Sequence, residues 1–99
     1  MTSEDPRALR RARRLKTFDI VRVTVQGADH RAHLLDISTS GARLHVPAAI
    51  AAGATVTLSI MDMAIEADVI WAVDQRIGIR FHRGISEQIV ERSANPRAA

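Results

Sequence analysis

From Phe18 onward apolar and polar residues alternate with a period of two, the pattern of strands that bury one face. Val21, Val23 and Val25 alternate with Arg22 and Thr24, and Val56, Leu58 and Ile60 alternate with Thr55, Thr57 and Ser59. Ile65, Ala67, Val69, Trp71 and Val73 are expected to face one way, with Glu66, Asp68, Ile70 and Ala72 facing the other. Ile77, Ile79 and Phe81 alternate with Arg76, Gly78 and Arg80. Two shorter strands fit Arg31–Leu35 and Ala42–Val46.

Turn-forming residues punctuate these runs at Gly27-Ala28-Asp29, Ser38 to Gly41, Pro47 to Gly53, Met61-Asp62 and Asp74-Gln75. Within the third of these gaps, Ala48 to Ala52 reads as a helical turn or a loop lid. Ser86 is a suitable N-cap for a short helix over Ser86–Arg92, which Asn95-Pro96-Arg97 then ends. Many short strands with frequent turns predict an all-β fold, a six-stranded, mainly antiparallel barrel with a short C-terminal helix. Closure into a barrel hides sheet edges that would otherwise invite pairing with other chains. The expected organisation is a flexible arm over residues 1–16, the barrel with its helix over 17–92, and a loose tail over 93–99.

Charge separates the arm from the body. Residues 1–16 hold six Lys/Arg against Glu4 and Asp5, a net of +4, while the remaining eight Lys/Arg face nine Asp/Glu, a net of −1. A nucleic-acid-binding domain spreads cations over one face of its fold, so the near-neutral body argues for a small anionic ligand instead. Binding of DNA or RNA by the arm is the alternative, with a steep salt dependence and no requirement for Asp36.

The chain has no cysteine, which excludes disulfides, thiolate metal sites and thiol nucleophiles. His30, His33, His45 and His82 lie in different strands and turns without metal-ligand spacing, so no metal is expected. No nucleophile elbow is present, and no enzyme activity is expected. Apolar runs are too short to span a bilayer and there is no secretory signal, so the cytoplasm is the expected compartment.

Two motifs carry candidate chemistry. The arm contains R-x-x-x-R as Arg10 and Arg14, overlapped by a second spacing at Arg7 and Arg11. The body contains D-x-S-x-x-G as Asp36, Ser38 and Gly41, followed by Arg43. With Val69-Ile70-Trp71 and the closing run Ile77-Gly78-Ile79-Arg80-Phe81, this order resembles the PilZ domain, the bacterial receptor module for cyclic di-GMP. The resemblance implies a PilZ-like barrel that binds the dinucleotide without catalysis or cofactor and signals to an unidentified protein partner in trans. Motility, biofilm formation, exopolysaccharide output and virulence are the processes such modules influence. An interaction adaptor that has lost its ligand is the other reading.

The resemblance assigns ligand binding to Arg10, Arg14, Asp36, Ser38 and Gly41, with Arg11, Arg13 and Arg43 as further contacts. An arginine fork matches guanine O6 and N7, stacks on a base and binds phosphate. A carboxylate accepts from guanine N1 and N2 or orients an arginine. Ser38 can donate to a phosphate or base oxygen, and Gly41 supplies a positive φ or a close backbone approach. Leu9 precedes the arginine motif where another arginine could stack on a second molecule, which points to one ligand per domain. Trp71 is expected in core or rim packing, with lining of the pocket as the lesser reading, and Arg43 is either a ligand contact or an exposed strand residue.

Overall fold

The computed structural model describes residues 15–16 and 20–94 of the chain. Seven strands, β1 (Leu15–Lys16), β2 (Ile20–Val25), β3 (Ala28–Ile37), β4 (Gly41–His45), β5 (Thr55–Ile60), β6 (Met63–Val73) and β7 (Arg76–Phe81), precede one helix, α1 (Glu87–Ala94). All pairings are antiparallel. The order β3-β2-β5-β6-β7-β4 returns on itself through a β3–β4 pairing, so six strands close a barrel. The two-residue β1 lies on the β2 side of β3, opposite β4, because Asp36 pairs with both Lys16 and Arg43. The sheet therefore begins inside the segment read as an arm.

The predicted alternation fills the interior. Val21 and Val23, Leu34, Leu44, Val56 and Leu58, Ala67 and Val69, Ile77 and Ile79 are all buried. With no inward-facing tryptophan or tyrosine, aliphatic side chains make the core, which Phe81 and the helix residue Val90 complete. Each fully buried aliphatic side chain contributes roughly 1.5–3 kcal/mol of transfer free energy.

Three hairpins use two-residue turns with both central residues at positive φ: Gln26-Gly27 (51° and 82°), Met61-Asp62 (50° and 64°) and Asp74-Gln75 (54° and 65°). This is the type I′ pattern, whose twist matches that of the flanking strands. Ala28 and Asp29, read above as turn, belong to β3 instead, since Gln26-Gly27 closes the hairpin and Val25 pairs with Ala28. The Pro47 to Ala54 segment forms no helix. It crosses the end of the barrel with Ile50 buried, tied down by the Gly53 amide donating to the Val69 carbonyl at 2.7 Å. Ser86 caps α1 as expected, its hydroxyl accepting from the Ile89 amide at 3.1 Å, and the helix packs against β1 and β3.

Both register irregularities between the described strands fall around one region of the surface. One lies between Leu34 and Asp36 on β3, the other between Val69 and Trp71 on β6. Each inserts one residue, Leu35 or Ile70, and so reverses which residues face out beyond it. On β3 the insertion turns Asp36 to the outer face beside Arg43 and sends Ile37 inward beside Ala42. On β6 it overturns the expectation that Trp71 and Val73 share a face with Ile65. Ala72 now pairs with buried Ile77, while Trp71 and Val73 are exposed at 37% and 60%.

Candidate functional site

The two bulges set up one row of cross-strand neighbours: Lys16, Asp36, Arg43, Gly78 and Trp71, contributed by β1, β3, β4, β7 and β6. Beside it runs a second row: Ile20, His33, His45, Arg76 and Val73. Between and around the two rows lies a groove of about 590 Å³ lined by Leu35, Arg43, His45, Trp71, Val73, Asp74 and Arg76.

Asp36 anchors the groove's polar end. Its side chain is 1% exposed, and Arg43 reaches it with both Nε and Nη2, directed at the same carboxylate oxygen, Oδ2. Burying a carboxylate without such a partner costs several kcal/mol, roughly. The pairing also holds the Arg43 guanidinium above its ordinary pKa, through the hydrogen bond to Asp36 and then its charge. The Arg43 side chain remains 49% exposed, so its planar fork is fixed at one edge and open to the groove at the other.

Ser38 and Gly41 build the turn that carries β3 into β4. The Ser38 amide donates to the Gly41 carbonyl at 2.8 Å, and the Ser38 hydroxyl accepts from the Ser40 and Gly41 amides, each at 3.3 Å. That hydroxyl is buried within its own turn. The turn is fastened to the end of β7 and the chain beyond it, with Phe81 N–H on the Ser40 carbonyl (2.9 Å) and Ile85 N–H on the Thr39 carbonyl (2.9 Å). Gly41 serves a close approach and not a positive φ: a Cβ here would lie 2.2 Å from the Ile79 carbonyl oxygen.

Gly78 performs the matching task on the other side. A Cβ there would meet Trp71 Nε1 at 2.2 Å and Cε2 at 2.4 Å, so the indole occupies the space a side chain on β7 would fill. Trp71 thus forms a wall of the groove, a place that sequence periodicity missed because the Ile70 bulge moved it. Leu35, His45, Val73 and Arg76 were likewise not legible as groove residues. The signal available was the pairing of a lone tryptophan with a strand glycine.

Arg10, Arg11, Arg13 and Arg14, with the alternative pair Arg7 and Arg11 and the neighbouring Leu9, lie outside the described residues. The chain that follows Arg14 enters the sheet at Leu15 and Lys16, paired with Ile37 and Asp36. Asp36 and Arg43 meet in one ion pair, and Ser38 and Gly41 meet in the turn between their strands; of the four, Arg43 lines the groove. Of the four histidines, His33 and His45 are neighbours with ring centroids 6.2 Å apart, while His82 bonds Asp68 on another part of the surface. Among the described residues, no three His, Asp or Glu side chains are grouped to hold a metal ion, and no helix is long and apolar enough to cross a membrane.

An oriented guanidinium, a second arginine and an exposed indole over a partly apolar floor suit a planar, anionic ligand. The PilZ domain profile matches residues 8–94, spanning the arginine spacing, the D-x-S-x-x-G turn and the whole barrel. The chain belongs to the PilZ domain family. The crystal structure of the Borreliella burgdorferi PlzA protein in complex with c-di-GMP shares the fold of this PilZ domain, with a TM-score of 0.60 at 21% identity. The similarity covers 93% of this chain and 38% of the PlzA chain, so the PilZ domain here spans well under half of that protein's length. No curated protein sequence matches.

Proposed function

We propose that this PilZ domain is a non-catalytic receptor for cyclic di-GMP, with the groove between Arg43 and Trp71 as its seat. The observation that carries this reading is the row Asp36, Arg43, Gly78 and Trp71, which fixes an arginine fork and an indole on one outer face of a PilZ barrel. A guanine base stacks on the indole, Arg43 addresses a base edge or a phosphate, and Arg76 adds positive charge for the dianion. The basic arm, with Arg10 and Arg14, closes over the ligand from the β1 end, assisted by Arg11 and Arg13. The resident arginines outnumber lysine five to one in residues 1–16, as base stacking and bidentate bonding require.

In this reading Asp36, Ser38 and Gly41 act mainly by construction. Asp36 aims Arg43, and the other two hold the turn and the strand spacing. The output is a changed surface in the arm and groove, recognised in trans by a protein that governs motility, surface attachment or exopolysaccharide production.

Calorimetric titration with cyclic di-GMP tests the proposal. Wild type should bind with one ligand per domain. Arg10→Ala, Arg14→Ala, Arg43→Ala and Trp71→Ala should each lose about 1–3 kcal/mol of binding free energy. A folded wild-type protein that ignores the dinucleotide at low salt and tens of micromolar, roughly the weak end of specific recognition, would refute the receptor reading and leave an interaction adaptor. If Arg7→Ala and Arg11→Ala abolish binding while Arg10→Ala does not, the arm uses the overlapping spacing.

A further inference from the structure

A second groove, of about 330 Å³, lies on the opposite side of β3 from the first, where β2, β3 and β5 meet. Its rim carries Arg22 and Arg31, which are both exposed and stand directly opposite each other across the β2–β3 pair. Like charges in that position destabilise a sheet. Among the described residues neither guanidinium has a carboxylate partner, although β3 could have relieved the repulsion with any acidic or neutral residue at position 31. Beside them the lining is apolar, with Ile60, Met61 and Ile20, the last of which is 59% exposed.

This combination selects an occupant. A nucleic-acid backbone requires a long basic track, and here there are two cations with Asp62 closing one end. A free strand edge for β-addition is absent at this point, since β2 pairs on both sides. Two forks beside an apolar patch instead complement a segment with carboxylates flanking aliphatic or aromatic side chains. The patch is also connected to the first groove. Ile20 pairs with His33, and His33 pairs with His45 in that groove's lining. Ile20 also begins the barrel just after the chain leaves β1.

We propose that the Arg22–Arg31 face is the docking surface for an acidic, apolar-flanked segment of a partner protein. The existence of such a partner rests on the receptor reading above. The docking itself does not, and its test uses no dinucleotide.

The test is a titration of 15N-labelled full-length protein with a synthetic peptide of alternating Glu and Leu, at about 50 mM salt so that screening does not erase the interaction. Shifts should be concentrated at Ile20 to Arg22, Arg31 and Ser59 to Asp62. Arg31→Glu should weaken the peptide about tenfold and, by pairing with Arg22, should leave the melting temperature unchanged or raised. That second readout separates lost docking from lost folding. Peptide shifts centred elsewhere, undiminished binding by Arg31→Glu, no binding at all, or tighter binding of a single-stranded oligonucleotide at the same residues would each overturn the assignment. Loss of cyclic di-GMP binding in the calorimetric experiment, with peptide docking intact, would refute the receptor reading alone.

Discussion

Adding the same methyl group to two glycines in adjacent strands should have unequal consequences. At both Gly41 and Gly78 a Cβ would approach a neighbouring atom to 2.2 Å, against 3.4 Å for the start of ordinary contact. The neighbours differ in kind. At Gly78 it is the indole of Trp71, a side chain at the surface that can rotate outward. At Gly41 it is the carbonyl oxygen of Ile79, part of the backbone of a central barrel strand. Relief there requires β4 and β7 to separate by about 1 Å, enough to carry an N–H···O bond from about 2.9 Å out of range.

The bonds at risk around Gly41 are identifiable. They are the β4–β7 pairing of Gly41 with Arg80, the Ser38 amide on the Gly41 carbonyl, and the Phe81 amide on the Ser40 carbonyl. At about 1 kcal/mol net for each, Gly41→Ala should lose about 2–4 kcal/mol. For a domain of this size that lowers the melting temperature by about 10–25 °C. Gly78→Ala loses some indole contact but gains from a less flexible unfolded chain, so its net change should stay within about 1 kcal/mol. Circular dichroism melts measure both. Trp71 is the only tryptophan, so its emission reports the second site alone: it should shift to the red in Gly78→Ala and stay unchanged in folded Gly41→Ala. A Gly41→Ala protein that melts with wild type, or a Gly78→Ala protein that is the less stable of the two, would show that strand spacing is not what position 41 controls.

Three further outcomes are expected. Arg43→Lys keeps the charge but not the two-nitrogen hold on Asp36, so cyclic di-GMP affinity should fall about tenfold in a calorimetric titration while the fold is kept. His82 is raised above its ordinary pKa by its hydrogen bond to Asp68, and Asp68 is lowered by the same bond. The histidine's contribution is therefore full below about pH 6.5 and is lost as pH rises through the higher folded value, while the aspartate's is lost in acid; denaturant titrations across pH 5–9, roughly the range that brackets these groups, should show His82→Gln flattening the alkaline decline. Gln75 adopts φ 65° in a turn that favours glycine, so Gln75→Gly should raise stability by about 0.5–1 kcal/mol in the same assay.

The barrel was legible because its strands bury one face each, and Val21-Arg22-Val23 or Val56-Thr57-Leu58 leaves no other reading. The turns at Met61-Asp62 and Asp74-Gln75 and the Ser86 cap were equally plain. What escaped was parity. Alternation counts residues, and a bulge adds one without announcing itself, so Trp71 and Val73 were assigned to the wrong side. Yet each bulge sits where two large apolar residues adjoin, Leu34-Leu35 and Val69-Ile70, a break in period two that could have located it. The start of β3 was missed for a different reason. Ala28, Asp29 and His30 extend to the barrel's end, where little is buried and no apolar signature is needed.

The same geometry changes what the D-x-S-x-x-G turn is for. Its serine hydroxyl is occupied with the turn's own amides, and its glycine keeps a carbonyl oxygen from collision. Its aspartate holds the arginine five residues beyond the serine. Loss of ligand binding on substituting Ser38 or Gly41 would therefore not identify a contact, because either change displaces Arg43 and the strand beneath it. Contact is better tested at Trp71, a surface side chain, and at Arg43 by lysine, which keeps a cation beside the buried Asp36 carboxylate. A motif recognised by its spacing is in this respect a construction, and the ligand meets what the construction presents.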